Sequence, residues 1–204
     1  MKYQLNDQHS ISANYSYTGF KRKETNEYPK IVEVGEPTIN KNILGLNYSF
    51  SGLENRLAIS GFGKLFALDS KMISKEEIQH KSSTNYGYGA TAAYHLSEQF
   101  QIKGSYEHAY RLPSAIEMLG DGLTVNSNIN IKPENSDNAN LGLAFLTQKN
   151  NNQFSAETSV IYREAKDFIR EQLVGPKSVY ENLANVQITG IDGVLRYGYR
   201  DLVN

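Results

Sequence analysis

Phe100-Gln101-Ile102-Lys103-Gly104-Ser105-Tyr106-Glu107-His108-Ala109-Tyr110-Arg111 carries the pattern that decides the fold. Phe100, Ile102, Tyr106, His108 and Tyr110 share one parity, and Gln101, Lys103, Ser105, Glu107 and Arg111 share the other. Successive side chains of an extended chain point to opposite faces, so the stretch predicts a strand with an apolar, aromatic face and a polar one. The reading repeats upstream in Ile11, Ala13, Tyr15 and Tyr17, in Leu44, Leu46, Tyr48 and Phe50, and in Tyr86, Tyr88, Ala90, Ala92, Tyr94 and Leu96. Downstream it repeats in Ala139, Leu141, Leu143 and Phe145 and in Phe154, Ala156, Val160 and Tyr162. Leu57, Ile59 and Leu65 share a phase in a Gly-containing segment whose facing stays ambiguous. A last, less regular segment spans Val179 to Tyr199, with Gly190 and Gly193 as expected bulge or close-approach points. Helical periodicity is weak throughout, and one short helical turn is expected near Ser74 to His80.

The connections carry a second signal. They run long after Phe20, short over Ser51 to Asn55, long over Leu68 to Ser83 and short over Ser97 to Gln99. They continue long over Leu112 to Ser136, short over Gln148 to Asn152, long over Ile169 to Ser178 and short at Arg200 to Asn204. Tight turns at one end and long loops at the other are the mark of an up-and-down barrel in an outer membrane. A soluble antiparallel sheet or sandwich also alternates, but its loops are usually short at both ends. The apolar phase is bracketed by aromatics: Tyr86, Tyr88 and Tyr94 flank Ala90 and Ala92, and Phe100 and Tyr110 stand at opposite ends of their strand. Amphipathic rings placed in that way form girdles at the two membrane interfaces. The expected fold is all-β: a transmembrane antiparallel up-and-down β-barrel, present in part as about eight or nine strands.

Composition fits this expectation. The 204 residues carry 21 Lys and Arg against 22 Asp and Glu, a formal net charge of −1, which argues against nucleic acid as a partner. There is no Cys, hence no disulfide framework, thiolate metal site or cysteine nucleophile. Mean hydropathy is negative, and no stretch approaches the roughly 20 apolar residues of a spanning helix. Met1-Lys2-Tyr3-Gln4-Leu5-Asn6-Asp7 has no apolar core of a signal peptide, so the chain is expected to be either cytoplasmic or a piece of something larger. The strand pattern favours the piece.

Arg111-Leu112-Pro113-Ser114-Ala115-Ile116-Glu117 and, further on, Asn128-Ile129-Asn130-Ile131-Lys132-Pro133-Glu134-Asn135-Ser136 resemble two elements of the TonB-dependent outer-membrane receptors. These are the Arg-x-Pro-x-x-x-Glu element and the Leu-Lys-Pro-Glu-x-Ser element, with Ile131 where Leu is commoner. Tyr162-Arg163 followed by Phe168-Ile169, then Tyr180-x-Asn182 and Gly190-Ile191-Asp192, extend the resemblance to roughly residues 100 to 195. It implies a barrel of about 22 strands closed around an N-terminal plug. It also implies uptake energised through TonB, which engages the plug region absent here. Residues 1–204 then form one fragment of the barrel domain, set in the lipid of a Gram-negative cell outer membrane.

The expected function is active transport of a siderophore, a cobalamin-like ligand or an oligosaccharide, with no enzymatic step and no cofactor. A passive porin or small structural outer-membrane barrel is the alternative. Arg111 lies on the polar phase just before a long loop, so its guanidinium is expected at the extracellular rim with Glu117 or Glu134 as partner. Pro113 ends its strand, and Lys132-Pro133-Glu134 gives an extended approach to the next. These residues, with Gly190, are family-motif positions expected to organise the loop rather than select cargo. Asp121, Thr124, Asn126, Asn128 and Asn130 form a polar run suited to hydrogen-bonding a hydroxyl-rich or chelate ligand. The first loop, Lys21-Arg22-Lys23-Glu24 through Tyr28 to Asn40, offers mixed charge. The histidines are scattered without metal-ligand spacing, and Glu107 and His108 point to opposite faces of one strand.

Overall fold

The computed structural model describes residues 1–23, 36–74, 77–149, 151–183 and 185–199. In chain order its elements are β1 (Lys2–Gln4), β2 (His9–Lys21), β3 (Thr38–Gly52), β4 (Leu57–Ser74), β5 (Glu77–His95), β6 (Phe100–Arg111), α1 (Ala115–Leu119) and β7 (Val125–Asn126). They continue with β8 (Glu134–Lys149), β9 (Asn152–Lys166), β10 (Phe168–Val174), β11 (Lys177–Leu183) and β12 (Val186–Tyr199). Nine strands form one antiparallel sheet in the order β1-β2-β3-β4-β5-β6-β8-β9-β12, so every strand pairs with the sheet strand before it in the chain. That is the up-and-down order, and the sheet is open, with β1 and β12 at its edges. A three-stranded sheet, β10-β11-β7, is built from the segments between the wall strands. Beyond β1, the wall strands run from 12 to 19 residues, above the roughly 9 to 11 that a tilted spanning strand needs.

Register fixes which residues share a face. Leu44 opposes Leu65, which opposes Tyr86. Tyr94 opposes Ile102, which opposes Leu143, and Leu141 opposes Val160, which opposes Ile191. These side chains are exposed or half-exposed on one apolar face, Tyr86 at 68% and Ile191 at 81%. In water such a continuous apolar surface would be a liability, whereas acyl chains solvate it. The other face is polar and internally bonded: Lys64 to Glu107 at 2.8 Å, the Ser60 and Thr91 hydroxyls at 2.7 Å, and Asn140 donating to Ser105 at 3.1 Å. The ambiguous segment resolves, with Leu57, Ile59 and Leu65 on the apolar face.

Five expectations are corrected. The long connection over Leu68 to Ser83 is a hairpin, because β4 and β5 pair without interruption from Leu68↔Ser83 to Ser74↔Glu77. The helical turn expected near Ser74 to His80 is therefore strand in its described part. Above the hydrocarbon neither face meets lipid, one meeting water and the other, with Leu68 and Ser70 buried, meeting protein, so alternation of that kind is no longer required. The segment from Val179 to Tyr199 is two strands in two sheets, β11 and β12, rather than one. Gly190 and Gly193 mark no bulge: β12 pairs with β9 continuously, Gly190 opposite Ile161 and Gly193 opposite Thr158, with open space at Gly190. Tyr110 is not a free girdle ring. β6 leaves β5 after His108, and the Tyr110 ring turns to pack against Phe66, 6.0 Å between centroids. Residues 24–35 of the first loop and the turn expected at Arg200-Asp201 lie outside the described residues.

The apolar core sits on the polar side of the wall, at the end with the long connections. Ile39 of β3 and Phe66 and Leu68 of β4 meet Leu112, Met118, Leu119, Ile129 and Ile131 of the loop after β6, and Ile169 of β10. That loop therefore folds inward over the wall instead of extending into solvent. A Cβ at Gly87 would stand 2.9 Å from the Phe66 ring, so only glycine lets this ring lie flat on the neighbouring strand.

The facing assignment makes a measurable difference between adjacent positions. Ala90→Arg, on the lipid face, is expected to cost about 2 to 4 kcal/mol in denaturant unfolding from phospholipid vesicles, and Thr91→Arg far less. Equal losses at both positions would mean that the faces are misassigned.

Candidate functional site

The infolded loop between β6 and β8 is held by one buried carboxylate. Glu134, 2% exposed, opens β8 opposite Arg111, the last residue of β6. Its Oε2 accepts from Arg111 Nε and Nη2, each at 3.2 Å, and from the Ile169 backbone N–H at 3.4 Å. Its Oε1 accepts from Arg163 Nη2 of β9 at 3.1 Å. One side chain thus ties three wall strands and the start of β10. Both arginine side chains remain about 40% exposed, so the knot is dry at its carboxylate and wet at its rim.

The same Arg111 anchors the helix. Its Nη1 donates to both Glu117 oxygens, at 3.0 and 3.1 Å. Glu117 Oε2 also accepts the Ser114 N–H at 2.6 Å while Ser114 Oγ accepts the Glu117 N–H, a capping box that starts α1 directly after Pro113. The other end of α1 is closed from β2, where Arg22 donates to the carbonyls of Gly120 at 2.7 Å and Leu119 at 3.2 Å. Gly120 takes a positive φ of 63°, and a Cβ there would lie 2.2 Å from the Val125 carbonyl. No other residue fits that turn without displacing β7.

Beyond Gly120 the polar run mostly bonds to the loop itself. Asp121 Oδ1 accepts the N–H groups of Leu123, Thr124 and Val125, each at 2.8 Å, and Oδ2 accepts the Thr124 hydroxyl at 2.6 Å. The Thr124 hydroxyl and these amides hold the carboxyl well below the usual carboxylate range. Asn128 donates to the Tyr180 carbonyl at 2.9 Å and accepts the Asn130 N–H at 3.1 Å. Asn182 of β11 accepts the Lys132 N–H at 2.8 Å and donates to the Lys132 and Asp167 carbonyls. Lys81 of β5 reaches the Asn130 carbonyl at 3.1 Å. Burial, with the Glu171 carboxylate beside it, pushes the Tyr180 hydroxyl up.

Arg111, Pro113, Glu117, Lys132, Pro133 and Glu134 therefore converge at one place, and Gly190 stands apart on β12. Asp121, Thr124 and Asn128 are engaged within the loop, while Asn126 and Asn130 are exposed with side-chain amides that no described residue engages. Sequence reasoning did not name Arg163, Arg22 or Asn182 as site residues. Arg163 and Asn182 stood inside the quoted Tyr-Arg and Tyr-x-Asn pairs, but Arg22 gave no signal. Among the described residues no group of three or more His, Asp or Glu could hold a metal ion. The arrangement can seat a loop and present amides and positive charge at a mouth.

A family model described as TonB dependent receptor-like, beta-barrel matches residues 43–204. No curated protein sequence matches the chain. Among solved structures, the FrpB iron transporter from Neisseria meningitidis (F3-3 variant) is similar with a TM-score of 0.72 at 15% identity, over 98% of this chain and 32% of that one. The copper transporter OprC is similar at 0.69 and 15% identity, over 97% of this chain and 33% of that one. A double mutant of the Serratia marcescens hemophore receptor HasR, in complex with its hemophore HasA and heme, is similar at 0.65 and 14% identity, over 96% and 38%. This chain spans about a third of the length of these structures, and identities so low bear on the fold alone.

Removing the shared carboxylate tests the knot. Glu134→Gln is expected to cost about 2 kcal/mol, below the roughly 3 to 5 of a fully buried pair because the arginines reach water. The loss reads out as a lower unfolding midpoint and faster proteolysis between Leu112 and Pro133. Asp121→Ala is expected to raise amide exchange at Leu123 to Val125 about tenfold and leave the wall strands unchanged. Because the Asp121 pKa is depressed in the fold, this turn keeps its strength down through mildly acidic pH and weakens only as the carboxylate itself protonates.

Proposed function

As the chain belongs to the TonB-dependent receptor-like β-barrel family, we propose that residues 1–204 form part of the barrel wall of an outer-membrane receptor that takes up cargo with energy delivered through TonB. The wall separates lipid on its apolar face from an aqueous lumen on its polar face, in the outer membrane of a Gram-negative bacterium. A plug segment outside this chain is the element that would meet TonB. The observation that carries the reading is the loop of Leu112 to Pro133, folded inward and fastened to the wall at Glu134, at the mouth where the long connections gather. A receptor needs its binding surface held in place before cargo arrives, and the family match over residues 43–204 favours a receptor over a passive pore.

The cargo class is a small chelate, of the siderophore or cobalamin-like kind rather than an oligosaccharide. Support comes from the similar solved structures, which include an iron transporter, a copper transporter and a hemophore receptor in complex with its hemophore and heme. Asn126 and Asn130 are the residues of the polar run with free amides for it. Asp121, Thr124 and Asn128 shape the loop that presents them. No covalent step is assigned.

Uptake of radiolabelled iron chelates by cells carrying the complete receptor is expected to fall to the background of receptor-less cells when TonB is removed. Flux that persists without TonB overturns this reading in favour of a passive porin.

A further inference from the structure

We propose that the lumenal patch formed by Lys41, Lys81, Ser83 and Asn85 is the seat of a carboxylate-bearing anion. Register places these residues together on the polar face. Lys41 opposes Leu68, which opposes Ser83, and in the next row Ile43 opposes Phe66, which opposes Asn85. Lys81, Ser83 and Asn85 follow one another at alternate positions of β5 and so share that face. Lys41 stands between Ile39 and Ile43, both of which pack into the loop core, and feels the charges of Glu117 and Arg111.

Every unmet polar group here can donate a hydrogen bond. Ser83 Oγ and Asn85 Nδ2 are buried without a hydrogen-bond partner, and Arg163 Nε beside the Glu134 knot is in the same state. Lys41 has no ion pair or hydrogen bond among the described residues, and Lys81 reaches only a neutral carbonyl. A buried donor without an acceptor is costly and asks for one, and here the charges lean the same way. Arg111 and Arg163 are matched by Glu117 and Glu134, and among the described residues neither ammonium group forms an ion pair with a carboxylate. An oxygen anion supplies both the acceptors and the charge.

The position narrows the source. The patch lies on the lumenal face under the infolded loop, so a lipid phosphate on the other face cannot reach it. Access is available where the wall divides: β5 runs from Glu77, but its pairing with β6 begins only at Tyr88. A carboxylate can come from an anionic chelate entering at the mouth or from an acidic side chain of the same protein outside this chain. The first source rests on the uptake reading above, and the second does not.

The test uses the complete receptor in lipid nanodiscs, with citrate and ferric citrate as carboxylate probes and an uncharged ferric trihydroxamate as the neutral one. If the anion is cargo, citrate shields Lys41 and Lys81 from acylation about tenfold and leaves Lys71, on the opposite face of β4, unshielded. Ferric citrate affinity then falls about tenfold in Lys41→Met and in Asn85→Leu but not in Lys71→Met, with trihydroxamate unaffected. If the anion is internal, citrate has no effect, and carbodiimide coupling joins Lys41 or Lys81 to an acidic residue outside residues 1–204. Citrate without effect, together with no such coupling, overturns the proposal. Each readout is made on the protein itself, so the outcome is independent of whether cells take up iron through TonB.

Discussion

Hydrocarbon offers no partner to a backbone N–H or C=O, so every such group within it must be bonded inside the protein. In this chain that requirement is met by pairing each wall strand with the one before it, and the result is a sheet whose two faces meet different solvents. Side chains then sort by parity: Leu44, Leu65 and Tyr86 to lipid, Lys64, Glu107 and Asn140 to the lumen. The apolar core follows from the same constraint. The membrane already solvates the outer face, so the loop core of Ile39, Phe66, Leu68 and Met118 gathers on the lumenal side, where water would otherwise meet apolar surface.

Pairing by sequence order leaves long connections at one end, and a loop folded against the wall must be fixed without a ladder of its own. Glu134 does this with charge-assisted bonds, because two forked guanidiniums from β6 and β9 converge on it. The arginines pay little desolvation at the rim, while the carboxylate is screened from water and so binds them more strongly. The loop is thereby fastened at its strand junctions and left free to present its middle.

The alternation was legible in the sequence because two immiscible surroundings impose it residue by residue, and Phe100 to Tyr110 displays it openly. The convergence of Arg111, Glu117 and Glu134 was legible for a different reason: Arg111 and Glu134 lie where strands meet the loop, Glu117 stands six residues after Arg111, and opposite charge leaves few alternatives. What stayed hidden lacks either constraint. The upper parts of β4 and β5 have protein on one face, where Leu68 and Ser70 are buried, and water in place of lipid on the other, so Leu68 to Ser83 read as loop. The sheet of β7, β10 and β11 joins Val125 to Ser178, segments with no periodicity of their own to announce the pairing. Arg22 closes α1 from a distant strand end, a contact fixed by the tertiary path and not by spacing.

A donor surplus is the reverse of what a wall under pure stability selection would keep. Ser83 and Asn85 stand opposite Leu68 and Phe66, where an apolar residue of similar size would leave nothing unmet. Elsewhere on the same face Lys64 finds Glu107 and Asn140 finds Ser105, so matching polar partners is within the reach of this sheet. Ser83 and Asn85, unmet among the described residues beside two ammonium groups and under a fastened loop, make the pattern of a site prepared for an acceptor that arrives from elsewhere.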